Sequence, residues 1–144
     1  MSDVPGVKER VQTYLTSQGE ITIDDKGRFS TLVGSTRIFV EVLAHGNEKA
    51  TVVMVTAPIL FEVPLTPELY RHVAIHADDW WFGHLFLAEN EGGATGTLIG
   101  RHTLLGDYLD KDELLYAVNG VGYSSDAADD ELQKQFGGKR YEDT

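Results

Sequence analysis

At 144 residues and 42% hydrophobic content, the chain has the size of one ordinary domain, with enough apolar residues for a core that needs no metal or disulfide. Its 23 acidic and 12 basic residues give a net charge of −11, so there is no cationic surplus to displace counterions from a phosphate backbone, and no nucleic-acid partner is expected. The absence of cysteine excludes a disulfide scaffold, Cys-ligated zinc, iron–sulfur centres and thiol catalysis.

The first eight residues lack a basic stretch followed by an apolar one, and no segment reaches the roughly 18 apolar residues of a membrane helix. A soluble, cytoplasmic protein with no membrane partner is expected. Ser2 and Asp3 stand before Pro5, and Val4, Val7, Val11 and Leu15 recur at helical steps, which predicts a first helix over 5–17. Gly19 stops it, and the mixture of Asp24, Asp25 and Gly27 in residues 21–28 reads as an acidic turn.

The period then changes to that of a sheet. β-Branched and aromatic residues dominate 29–33, 37–43 and 51–61, and the links at Gly34-Ser35 and His45-Gly46-Asn47 are too short for parallel crossovers. The unit is a three-stranded meander, with Ile38, Val40 and Val42 on an apolar face and Arg37, Phe39 and Glu41 on a mixed one. Pro64 ends the third strand. Thr66 and Pro67 read as N-cap and first residue of a second helix over 67–77, with Leu65 and Tyr70 placed as a hydrophobic staple.

Residues 80–88 and 95–105, separated by the turn 89–93, predict a second hairpin. A long last helix begins at Asp110, Lys111, Asp112 and Glu113, with Leu114, Val118, Val121, Ser125, Ala128, Leu132 and Phe136 on one stripe. Gly120 and Gly122 either kink it or let it approach the sheet closely. Gly137 and Gly138 terminate it, and 139–144 is expected to be a flexible tail after a single domain over 1–138. The expected fold is α+β: helix, three strands, helix, two strands, helix, with a five-stranded, mainly antiparallel sheet.

His72 and His76 have the i, i+4 spacing of a zinc pair, with Asp78 and Asp79 nearby, but Val73 stands where a zinc protease needs glutamate and no third ligand is evident. An ordinary helix surface or half-buried histidines account for them better. Gly46-Asn-Glu-Lys49-Ala-Thr51 and Gly92-Gly93-Ala-Thr-Gly96 resemble fragments of phosphate loops, yet neither opens a helix, and hairpin turns account for both. The acidic clusters at Asp107, Asp110, Asp112, Glu113 and at Asp126, Asp129, Asp130, Glu131 lack the order of a calcium loop and suit capping and a solvated face. His84 and His102 are the only acid–base candidates, and no catalytic triad is evident. No metal, cofactor or catalytic residue is therefore assigned.

Trp80, Trp81 and Phe82 are three large aromatics that one small core does not easily hide. Beside an edge strand they would suit capture of a peptide, a partner protein or a second subunit, so they are the candidate partner-binding residues. Core packing is the competing role.

The element order, together with Arg37-Ile-Phe-Val-Glu-Val, Ala57-Pro58, Val63-Pro64-Leu65, Phe82-Gly83, Ala128-Asp129-Asp130-Glu131-Leu132-Gln133 and Phe136-Gly137-Gly138, resembles the type III secretion chaperone-like fold, particularly the YbjN-type families. The resemblance covers nearly the whole chain. It implies a non-catalytic, often homodimeric module that binds a protein or peptide client without nucleotide, the client segment adding to sheet edges or filling apolar patches. The acidity would keep such a protein soluble and attract basic clients. A small-ligand- or metal-sensing regulator built on His72 and His76 is the alternative.

Overall fold

The computed structural model describes residues 3–47 and 49–144; Met1, Ser2 and Glu48 lie outside the described residues, and with Ser2 its expected part in the first helix start. Helix α1 (Val4–Thr16) begins where Asp3 accepts a hydrogen bond from the Gly6 amide at 3.0 Å, and it buries Val7, Val11 and Leu15. Strands β1 (Thr22–Ile23), β2 (Phe29–Val33), β3 (Thr36–His45) and β4 (Ala50–Pro64) precede α2 (Pro67–His76), which Thr66 caps. Strands β5 (His84–Glu89) and β6 (Thr95–Leu105) and helix α3 (Lys111–Phe136) follow.

The sheet has six strands in the order β1-β2-β3-β4-β6-β5, and every neighbouring pair is antiparallel. The class is as expected, but the count of five is corrected. The additional strand is β1, inside the stretch read as a turn. Asp24 closes a tight loop by accepting from the amides of Lys26 and Arg28, both at 2.9 Å, and by pairing with the Arg28 guanidinium at 2.8 Å. Thr22 and Ile23 are thereby laid against Ser30 and Phe29. Two residues are too few to show an alternation in sequence.

Helices α1 and α3 cover one face. Ile38, Val40, Val42, Val53, Val55 and Ala57 meet Val7, Val11, Leu15, Leu114, Val118 and Val121 there. Burying each such valine, leucine or isoleucine contributes about 1.5–3 kcal/mol. A second cluster, with Ile59, Leu60, Val63, Leu69, Leu85, Leu98 and Leu132, closes the far end of the sheet under α2 and the last turns of α3. On the opposite face Arg37, Phe39, Glu41, Thr56, Ile99 and Arg101 remain half-exposed.

Helix α3 is capped by Asp110, whose carboxylate accepts from the Glu113 amide at 2.8 Å, and it ends at Gly137, which has φ 84°. Its two internal glycines are close-approach positions. A Cβ on Gly122 would stand 2.5 Å from Val33 Cβ, and one on Gly120 would stand 2.9 Å from Phe82. One turn beyond Gly122, Asp126 accepts from the Ser35 amide at 3.0 Å and hydroxyl at 2.6 Å, which holds the β2–β3 turn and keeps the carboxyl below its usual range. Asp129 is buried on the same helix. Burial, reinforced by Asp130, Asp126 and Glu142, pushes its carboxyl up to about 6.

Residues 139–144, expected to be a flexible tail, are folded back. Lys139 and Phe61 exchange two backbone hydrogen bonds of 2.8 and 2.7 Å, and a 3₁₀ turn follows at Tyr141–Asp143. Arg140 anchors it through Asp130, Glu142 and Asp143, and the Tyr141 ring lies 6.4 Å from that of Phe61. Alternating charges in a short terminal stretch find their partners only after folding. Among the described residues no helix is long and apolar enough to cross a membrane.

Gly122→Ala is expected to destabilise the fold by about 1–3 kcal/mol, since the new methyl meets a β-branched core side chain, and chemical denaturation measures this. Between about pH 4 and 6 the folded chain retains on Asp129 a proton that the unfolded chain has released, so this group loses stability as pH rises through that window. Asp129→Asn is therefore expected to be more stable than wild type at neutral pH, by about 1–3 kcal/mol, and to match it near pH 3.5.

Candidate peptide-binding surface

The loop 77–83 between α2 and β5 carries the aromatic triplet, so β5 starts four residues later than the strand expected over 80–88. The end of α2 is tied down at Leu85, whose amide donates to the Ala77 carbonyl at 3.0 Å, and at His76, whose Nδ1 lies 2.7 Å from an Asp79 carboxylate oxygen. Gly83, with φ 104°, presses the loop onto β6, where a Cβ would come within 2.9 Å of the Arg101 carbonyl oxygen. A side chain there would push the loop away from the sheet.

The three aromatics occupy different environments. Trp80 turns inward and packs with the second core cluster, its ring filling the space above Gly100, where a Cβ would stand 2.6 Å from Trp80 Cζ3. Phe82 lies over Gly120 of α3, edge-on to His102 at 5.8 Å and stacked with Tyr116 at 6.3 Å. Trp81 is 96% exposed. With its neighbours anchored on opposite sides of it, Trp81 projects into solvent beside Phe82 and the exposed Tyr116.

Strand β5 is an edge strand, with β6 as its one strand partner among the described residues. The residue after α2 covers its second position, through the Leu85 hydrogen bond to Ala77, and leaves Phe86 to Glu89 outside that contact. At the other edge, β1 pairs only with Phe29 and Ser30. Next to the remainder of β2 lies an open depression of about 630 Å³, whose lining includes Gln18, Thr31, Leu32, Asn119 and Tyr123. Both edges thus offer strand backbone next to exposed apolar or aromatic side chains, the two elements needed to hold an extended segment.

The histidines are dispersed. His72 and His76 sit 4.6 Å apart by ring centroids beside a depression of about 210 Å³ that Trp80 and Glu131 also line. Burial, followed by the neighbouring His76, lowers the His72 pKa, and Phe136 packs edge-on to its ring at 5.2 Å. Among the described residues the one carboxylate-rich cluster with metal-ligand spacing is Asp129, Asp130 and Glu142, away from these histidines, and Arg140 already pairs with two of its members. His102 is held below its usual pKa by burial and then by His84, and neither forms an ion pair with a carboxylate among the described residues. The sequence offered no means of separating the roles of Trp80, Trp81 and Phe82, because these depend on Gly100 and Gly120, which are distant in the chain.

A helix-backed antiparallel sheet with two open edges and an aromatic loop defines a protein-binding module of the secretion-chaperone type. The chain belongs to the family described as T3SS (YopN, CesT) and YbjN peptide-binding chaperone 1, whose model matches residues 6–144. Its fold is similar to that of a chain in the ExsC–ExsE complex, with TM-score 0.64, 14% identity, and coverage of 92% of this chain and 97% of that one. YbjN from E. coli is similar at TM-score 0.64 and 13% identity, covering 94% and 97%. A chain of the HopA1–SchA chaperone–effector complex follows at TM-score 0.54 and 12% identity, covering 88% and 97%. At these identities the likeness is one of fold. No curated protein matches the sequence. The protein is a chaperone-like, peptide-binding module.

Trp80→Ala is expected to cost about 2–4 kcal/mol by opening a void above Gly100, whereas Trp81→Ala is expected to stay within about 0.5 kcal/mol of wild type. Thermal or urea unfolding of the two single variants separates the half-buried indole from the exposed one.

Proposed function

We propose that the protein holds an extended segment of a partner protein along the β5 edge, with Trp81 and Phe82 as apolar anchors. The observation that carries this is the 96% exposure of Trp81 in the loop that leads into an edge strand. An exposed indole contributes little to folding, and tryptophan is among the side chains that most often dominate binding energy once a partner covers them. Trp80 supports the loop from within and is a positioning residue. Main-chain hydrogen bonds to β5 would supply affinity, and the aromatic side chains would supply selectivity.

On this view the module acts without catalysis, metal or nucleotide, in the cytoplasm and apart from nucleic acid, the last supported by the net charge of −11. Expected homodimerisation would bring a second copy to one of the same edges. Affinity capture from extract of the source organism, with mass spectrometry, tests the site using wild type beside Trp81→Ala and Phe82→Ala at matched thermal stability. A client retained by wild type and reduced at least about tenfold by Trp81→Ala is the expected result. Equal retention by all three proteins would remove these aromatics from the site, and loss of a dimer in the variants on sedimentation would assign them to the subunit interface.

A further inference from the structure

The face of the sheet opposite α1 and α3 has a charge character unlike the rest of the molecule. Three of its side chains are arginines, and each guanidinium lies over an aromatic ring: Arg28 on Phe39 at 5.0 Å, Arg37 on Tyr141 at 5.9 Å and Arg101 on Phe86 at 4.9 Å. The strand register places Ser30, Phe39, Thr56, Arg101 and His84 in one row across five strands. Pro58, Ile99 and Phe86 form the next row, and Arg37 precedes Phe39 by two residues on the same side of β3. Between them lies an open depression of about 390 Å³.

Arg28 is paired with Asp24 at 2.8 Å. Arg37 and Arg101 form no ion pair among the described residues, although the chain carries nearly two carboxylates for every basic group. Arg101 is oriented by Nε donating to Thr56 Oγ1 at 3.0 Å, and Arg37 by a bond of 3.4 Å to Ser30 Oγ. Among the described residues Glu41 is the one carboxylate lining this depression. Glu142 lines the adjoining depression with Arg37 and Tyr141 but is paired with Arg140, so Arg37 and Arg101 stand without a carboxylate partner of their own in a protein of net charge −11.

A guanidinium stacked on a ring loses little freedom when it binds, and its fork of N–H donors matches a carboxylate in two-point fashion. The apolar floor of Phe39, Pro58, Phe61 and Ile99 accepts aromatic or aliphatic side chains. One such stretch of this chain is already seated at the end of the face: Tyr141 lines the depression beneath Arg37, followed by Glu142 and Asp143. We infer that the open sheet face binds an acidic peptide segment carrying aromatic or apolar residues, its carboxylates engaging Arg37 and Arg101, an inference that rests on the peptide-binding function proposed above. The partner chemistry is then opposite to the basic client that the overall charge favours. A local field at the contact, rather than net charge, sets the selection.

Fluorescence anisotropy tests this with two labelled synthetic peptides that share alternating tyrosine and leucine residues, one interspersed with glutamates and the other with lysines. The acidic peptide is expected to bind at least about tenfold more tightly, and to weaken as salt rises above about 0.15 M. Arg37→Gln with Arg101→Gln is expected to reduce that binding at least about tenfold, and the corresponding lysine double variant to retain part of it. Thr97→Glu, which places a carboxylate at the depression without touching either arginine, provides the same readout should the glutamine variant fold poorly.

Equal binding of the two peptides, or undiminished binding by the folded glutamine and Thr97→Glu variants, overturns the inference. Conversion of a wild-type dimer to monomer by the arginine variants also overturns it, because a second copy would then be the occupant. A client captured through Trp81 in the absence of acidic-peptide binding removes this face alone and leaves the proposed function standing. Failure of both experiments removes the function as well.

Discussion

The distance at which α3 lies from the sheet is the constraint on which the remaining structure depends, and glycine sets it. With no Cβ at Gly122, the helix backbone comes down onto Val33, and this depth lets Asp126 reach the turn between β2 and β3. Two turns of backbone are thus locked together by one carboxylate and one missing methyl group. Gly120, half a turn earlier, leaves the recess that Phe82 fills, so the same approach fixes the loop before β5. Helix, sheet and loop are set by contacts that tolerate no extra carbon.

That geometry explains why the aromatic loop has one outward side chain. Trp80 is drawn to Gly100 on β6 and Phe82 to Gly120 on α3, and the residue between two anchored neighbours has no interior left to enter. The exposure of Trp81 follows from the packing of its neighbours and carries no compensating burial of its own. A large apolar surface held in water by rigid support is pre-organised for a partner, because little conformational entropy remains to be lost on contact.

Charge is distributed with the same economy. Part of the acidity serves as caps and turn clamps, at Asp3, Asp24, Asp110 and Asp126, where carboxylates satisfy backbone amides. Arg37 and Arg101 of the open face are instead laid on aromatic rings, which orient them without neutralising them. Membership of the peptide-binding chaperone family and likeness to chaperone folds at 12–14% identity fit this division, in which the helix-backed core is shared and the exposed surface carries the individuality.

Much of the fold was legible from local rules. Thr66 and Asp110 announced helix starts, Gly137 a helix end, and the alternation of Ile38, Val40 and Val42 the buried face of β3, because caps and strand periodicity act over a few residues. The family resemblance was likewise readable, and residues 80–82 stood out as three large aromatics that one small core does not easily hide. The two-residue β1, the anchoring of 139–144 and the different roles of Trp80, Trp81 and Phe82 were not. Each depends on a partner far along the chain: β2 for β1, Phe61 and Asp130 for the terminal segment, Gly100 and Gly120 for the aromatics. Sequence alone determined the three helices, the longer strands, their buried stripes and the family. Tertiary structure decided which side chains reach solvent and which charges stay unpaired, since burial and pairing depend on contacts between residues that only the folded chain brings together.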